Sequence, residues 1–76
     1  STNRPARLSY AEKKELESIL SRIPELEREK EELEERLSTG ALSHDALIQA
    51  SERIGQLIDE MDELTLRQLE LEEKGN

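Results

Sequence analysis

Along two stretches of this chain apolar residues recur three and four positions apart, and one short glycine-containing break separates the stretches. In the first stretch Leu16, Ile19, Ile23, Leu26, Leu33 and Leu37 keep the alternation, with Lys30 in the one polar slot. In the second, Leu47, Ala50, Ile54, Leu57, Met61, Leu64 and Leu71 do the same, with Gln68 as the polar slot. Residues at this spacing fall on one stripe of an α-helix, and such a stripe must be buried against another helix. The break from Ser38 to Ser43 is short enough to fold the second stretch back on the first. The spacing therefore predicts an all-α fold, an antiparallel two-helix coiled-coil hairpin. Two thin helices leave no room for an enclosed pocket, which argues against an enzyme.

Local signals set the expected boundaries. Residues 1–8 read as a linker, because Pro5 opposes helix there. Ser9 followed by Glu12 is a capping box, so helix 1 is expected over residues 10–39 with Gly40 at its C-cap. Pro24 lies inside that span and lacks the N–H that a helix interior uses. The residue before it, Ile23, is also biased away from the α region, so a kink or an interruption near Pro24 is expected. After a turn at 40–43, Ser43 caps helix 2, expected over 44–73, and residues 75–76 form a tail. Glu32–Arg36, Glu63–Arg67 and Glu70–Lys74 stand four apart in the favourable order for helical ion pairs. Gly55 costs about 1 kcal/mol relative to alanine inside a helix; hairpin pairing sets it near Lys30, where the missing side chain would make room for the lysine stem. Lys30 itself either fixes register or packs its stem with the ammonium in water.

Charged residues make up 39% of the 76-residue chain and the net charge is −8, but the distribution is uneven. Residues 1–14 hold Arg4, Arg7, Lys13 and Lys14 against Glu12, whereas both later stretches are acidic. A polyanion would be repelled along most of the hairpin and attracted only to its N-terminal end. Tyr10 is the one aromatic residue near those cations, so the stacking platform of single-strand binders is missing. Nothing points to chemistry. The three glycines are isolated, His44 is the only histidine and is expected to be an exposed first-turn residue, and there are no cysteines. The run Glu31, Glu32, Glu34 and Glu35 points around the helix axis, as a solvated face does. No apolar stretch approaches the roughly 20 residues that span a bilayer, and no signal-peptide core opens the chain; the expected location is the cytoplasm, without membrane contact.

The residues also carry a resemblance. Arg7-Leu8-Ser9-Tyr10, then Glu15-Leu16-Glu17, Ile23 and Leu26-Glu27 resemble the opening of the C-terminal coiled-coil domain of ABC-F family ATPases, the Uup-like group. Ser51 to Leu57 and Arg67-Gln68-Leu69-Glu70-Leu71 are similar to the stretch that closes that domain. The chain departs from the pattern at two places: many members carry a proline near the position of Leu20, and a Trp where this chain has Gln68. A Tyr10 contact at the hairpin base would then lean on Leu69 or Leu71. The resemblance implies an accessory domain of a soluble protein with two ATP-binding cassettes. ATP and magnesium would be held in those cassettes, and this chain would hold no cofactor or metal. It also implies engagement of nucleic acid (DNA or ribosomal RNA) or the ribosome. The candidate contacts are Arg4, Arg7, Lys13 and Lys14, joined by Arg67 and Lys74, which the antiparallel fold brings to the same end. The alternative is a protein–protein interaction hairpin docking on its own ATPase core or on another coiled coil. The isolated chain is expected to be monomeric.

Overall fold

The computed structural model describes residues 7–76. Two helices, α1 (Tyr10–Thr39) and α2 (His44–Gly75), pack against each other along their length in a rod of 63 × 16 × 15 Å. At the start of α1 the capping box is formed: the Glu12 N–H donates to Ser9 Oγ (3.1 Å) and the Ser9 N–H to Glu12 Oε1 (2.9 Å). That satisfies two amide donors that a helix start otherwise leaves bare. At the other end Gly40 turns the chain with φ of 71°, the left-handed conformation that only glycine adopts without penalty. Ser43 then caps α2, its Oγ accepting from the Ala46 N–H at 3.2 Å. The Asn76 N–H closes the far end on the Glu73 carbonyl at 3.4 Å.

The predicted stripes meet. Ile19 and Leu26 of α1 and Ala50, Leu57 and Leu71 of α2 are buried, with Leu26 and Leu57 losing all contact with water. Leu16, Ile23, Leu33, Leu37, Ile54, Met61 and Leu64 are half-buried, the usual state of a seam covered on one side only. Leu47 departs from the reading: it is exposed, and Leu42 in the turn and Ala46 are the half-buried residues there. The turn carries Leu42 over the end of the seam and shifts the contact off Leu47. Leu8, read with the linker, is half-buried and approaches Gly75, within 3.3 Å of where a β-carbon on that glycine would stand.

Three further expectations are corrected. Of the kink or interruption expected at Pro24, the interruption does not occur: helix α1 is continuous through it. Proline removes one hydrogen bond, to the Leu20 carbonyl, and both residues are exposed, so that carbonyl lies on the side open to water. Ile19, Ile23 and Leu26, packed on α2, hold the flanking backbone helical. Next, Gly55 makes no room for Lys30: a β-carbon there would meet nothing within 4 Å. The Lys30 stem is half-buried while its Nζ reaches Glu34 at 3.1 Å, so it snorkels along its own helix. Finally, Tyr10 supplies little packing at the hairpin base: it is 76% exposed, with Lys14 Nζ 5.5 Å from its ring centre.

Register is fixed by charge. Arg67 makes a two-pronged bond to Glu15 (2.8 and 2.9 Å), Arg53 does the same to Glu29 (2.6 and 2.9 Å), and between them Arg22 Nε reaches Glu60 at 3.2 Å. Glu15, Arg22 and Glu29 stand seven apart on α1, and Arg67, Glu60 and Arg53 match them on α2 in reverse order. The sign alternates along the ladder. A slip of one heptad would therefore set Glu15 against Glu60 and Arg22 against Arg53, like facing like. That repulsion excludes the neighbouring register even where the apolar seam tolerates it.

Candidate nucleic-acid interface at the hairpin base

The N-terminus of α1 and the C-terminus of α2 lie side by side, which brings most of the candidate cations to one end. They do not all remain available there. Arg67 is half-buried and held by both oxygens of Glu15, with Nη1 at 3.9 Å from Glu70. Lys74 donates to Glu12 Oε2 at 2.7 Å. Both cations thus cross to α1, in place of the pairs expected within α2 with Glu63 and Glu70. The reason is geometric: the carboxylates of Glu12 and Glu15 flank the seam, where shorter and better-aligned bonds are possible than along one helix surface.

The titration behaviour of this end follows. The Lys74 ammonium, with help from the Ser9 N–H, holds the Glu12 carboxyl down at about 2. The Arg67 guanidinium lowers the Glu15 carboxyl, and Glu15 in turn raises Arg67. At neutral pH these groups stay ionised and paired. Glu12 serves twice, as capping-box acceptor and as ion-pair partner, and so ties the start of α1 to the end of α2.

Among the described candidates, Arg7 is exposed just before the cap of α1 and Lys13 is exposed in its first turn. Lys14 is also exposed, with Nζ 3.4 Å from Glu17 Oε2 and resting over Tyr10. Arg4 lies outside the described residues. The cationic surface of the base is therefore Arg7, Lys13 and Lys14, narrower than the sequence suggests. Spacing within one helix pairs Arg67 with Glu63 and Lys74 with Glu70, and says nothing of the cross-helix partners Glu15 and Glu12. The usable signal was the alternation of Glu15, Arg22 and Glu29, each directly before a seam position.

Nothing else in the described residues resembles a reactive site. No three His, Asp or Glu side chains are grouped to hold a metal ion. An open groove of about 220 Å³ near the turn, lined by Leu33, Leu42, Ala46 and Arg53 among others, is smaller than most ligand sites. His44 is exposed. No described helix is long and apolar enough to cross a membrane.

Comparison with known proteins gives one match. The family model of the ABC transporter C-terminal domain covers residues 7–73, from just before the α1 cap almost to the end of α2. Neither the curated proteins nor the solved structures give a match.

Proposed function

The chain belongs to the ABC transporter C-terminal domain family, and we propose that it serves an ABC-F type ATPase in the cytoplasm as the accessory domain that touches nucleic acid or the ribosome. The parent's cassettes would supply ATP and magnesium; the hairpin itself is non-catalytic. One observation carries the reading: Arg7, Lys13 and Lys14 are exposed where α1 begins, beside a stem dominated by carboxylates. Glu70, Glu72 and Glu73 of α2 end at the same base, so the phosphate-facing area is the α1 start alone. Phosphate contact is then confined to the hairpin end, with Arg4 of the preceding segment as a further contributor. Few contacts mean weak, sequence-independent binding whose affinity falls only gently with salt, because the salt slope follows the number of phosphates neutralised.

The test compares the wild-type chain with a variant in which Arg4, Arg7, Lys13 and Lys14 are alanine. Each is titrated with duplex DNA and with structured RNA at low salt. The variant should bind at least about tenfold more weakly, and equal binding would place the contact elsewhere. A second reading, the interaction hairpin, is favoured by a separate observation: one flank of α2 exposes apolar side chains that the hairpin does not use.

A further inference from the structure

The ion-pair ladder closes only one side of the hairpin. Its members directly precede the seam positions Leu16, Ile23 and Lys30 on α1 and Ile54, Met61 and Gln68 on α2. Residues on the other side of each stripe consequently share the opposite face. On α2 that face carries Ile48, Ser51, Gly55, Ile58, Thr65 and Leu69, three or four apart, with Asp62 filling the slot between Ile58 and Thr65. All are exposed, and the large apolar ones keep 44% (Ile48), 39% (Ile58) and 54% (Leu69) of their surface in water. The hairpin thus has a second stripe with seam spacing and no helix against it.

Gly55 is the independent observation. It interrupts the helix former's preference at a cost of about 1 kcal/mol, its φ is not left-handed, and nothing within 4 Å needs its missing β-carbon. Within the hairpin this glycine has no structural use. On the outer stripe, between Ser51 and Ile58, it lowers the surface so that a helix backbone can approach closely.

Charge identifies what approaches. The register of the ladder sets Glu27 level with Gly55, Glu31 level with Ser51 and Glu34 level with Ile48. Glu34 is met by Lys30 of its own helix; Lys13, near the base, is the cation on this face of α1, and Arg22, Arg53 and Arg67 are committed to the ladder side. From Gly55 to Ile48 the apolar stripe is thus bordered by carboxylates, while Pro24 stands level with Ile58 and the exposed Leu20 level with Asp62. A second copy of the chain would bring a net charge of −8 against the same margin, with Lys13 and the Glu34-paired Lys30 as the cations on its matching face. We propose that the Gly55 flank of α2 is a docking surface for a third helix, one with an apolar stripe and a Lys- or Arg-rich margin laid along α1. From Ile48 to Leu69 the site would take a helix on the order of 30 Å long at about 1.5 Å per residue.

The test uses Gly55→Leu. The open space at this position leaves the hairpin intact, while the new side chain fills the approach. The probe is a synthetic helical peptide of about 20 residues with Ala and Leu at 3-4 spacing and lysines along one margin; a counterpart carries glutamates in their place. The wild-type chain should bind the lysine peptide, with amide shifts on the Ile48–Leu69 flank of α2, and reject the glutamate peptide. Gly55→Leu, and independently Ile58→Lys at an exposed site, should weaken binding about tenfold or more. Undiminished binding by both variants, or equal binding of both peptides, would overturn the proposal. So would self-association of the wild-type chain that Gly55→Leu abolishes, which would assign the flank to a second copy. DNA titration of Gly55→Leu should match wild type, so failure here and failure of the nucleic-acid reading are told apart.

Discussion

Leu26 and Gly55 mark the extremes of what one residue contributes here. Leu26 is fully buried at the centre of the seam, opposite a helix that cannot collapse far into the space it would leave. Leu26→Ala should therefore destabilise the hairpin by about 2–5 kcal/mol, read from the denaturant midpoint; a shift below about half a kilocalorie would place Leu26 outside the cooperative core. Gly55 is helical, exposed and touched by nothing. Gly55→Ala should raise stability by about 1 kcal/mol through helix propensity alone, and a loss on thermal melting would reveal a contact at that position. Gly40 is the opposite case among glycines. Its φ of 71° makes Gly40→Ala destabilising by about 1 kcal/mol, even though nothing stands near its side-chain position.

At the scale of the helices, the seam supplies affinity and the ladder supplies register. Ion pairs on a solvated flank are individually weak, so the ladder matters less for total stability than for choosing one alignment. Reversing one rung tests this. Arg22→Glu should set two carboxylates facing each other, and adding Glu60→Arg should recover most of the loss; a double-mutant cycle without coupling would show the rung to be idle. Acid acts on the same contacts. The Glu12, Glu15 and Glu29 carboxyls are all lowered by their Lys74, Arg67 and Arg53 partners. Their stabilisation is complete above the unfolded carboxyl range near 4.5 and is lost as pH falls through the folded values, reaching about 2 for Glu12. Thermal midpoints should stay level from pH 7 to about 5 and fall below about 4.5. A rise on acidification would mean that repulsion among the other carboxylates outweighs the ladder.

For the molecule as a whole, the helix contacts are within one chain, and the described surface is acidic along the stem and mixed in charge at the base. The chain should sediment as a monomer at micromolar concentration. A tight dimer with the Gly40 turn straightened into one continuous helix would refute the hairpin. The phosphate contact proposed at the base and the helix docking proposed on the outer flank of α2 meet only near Lys13, away from Gly55 and Ile58. Changes at Gly55 or Ile58 should leave phosphate binding at the base unchanged.

The sequence alone determined the class of fold, because a 3-4 apolar spacing has one economical burial and a short glycine break permits one direction of return. The caps at Ser9, Gly40 and Ser43 were legible for a similar reason: each satisfies backbone groups through residues a few positions away. Of the candidate site, the exposure of Arg7, Lys13 and Lys14 followed from their places outside the seam. The fate of Arg67 and Lys74 did not, since their partners Glu15 and Glu12 lie 52 and 62 residues away, and only the docked helices bring them within bonding distance. Local preference at Pro24 allows either a kink or an interruption, and the packing of Ile19, Ile23 and Leu26 keeps the helix continuous. Gly55 faces open water and not the Lys30 stem, for whether a helical glycine meets a side chain depends on the rotation of one helix about the other. That rotation is set by the two-pronged Glu15–Arg67 and Glu29–Arg53 bonds together with the seam, and tertiary structure alone decides it.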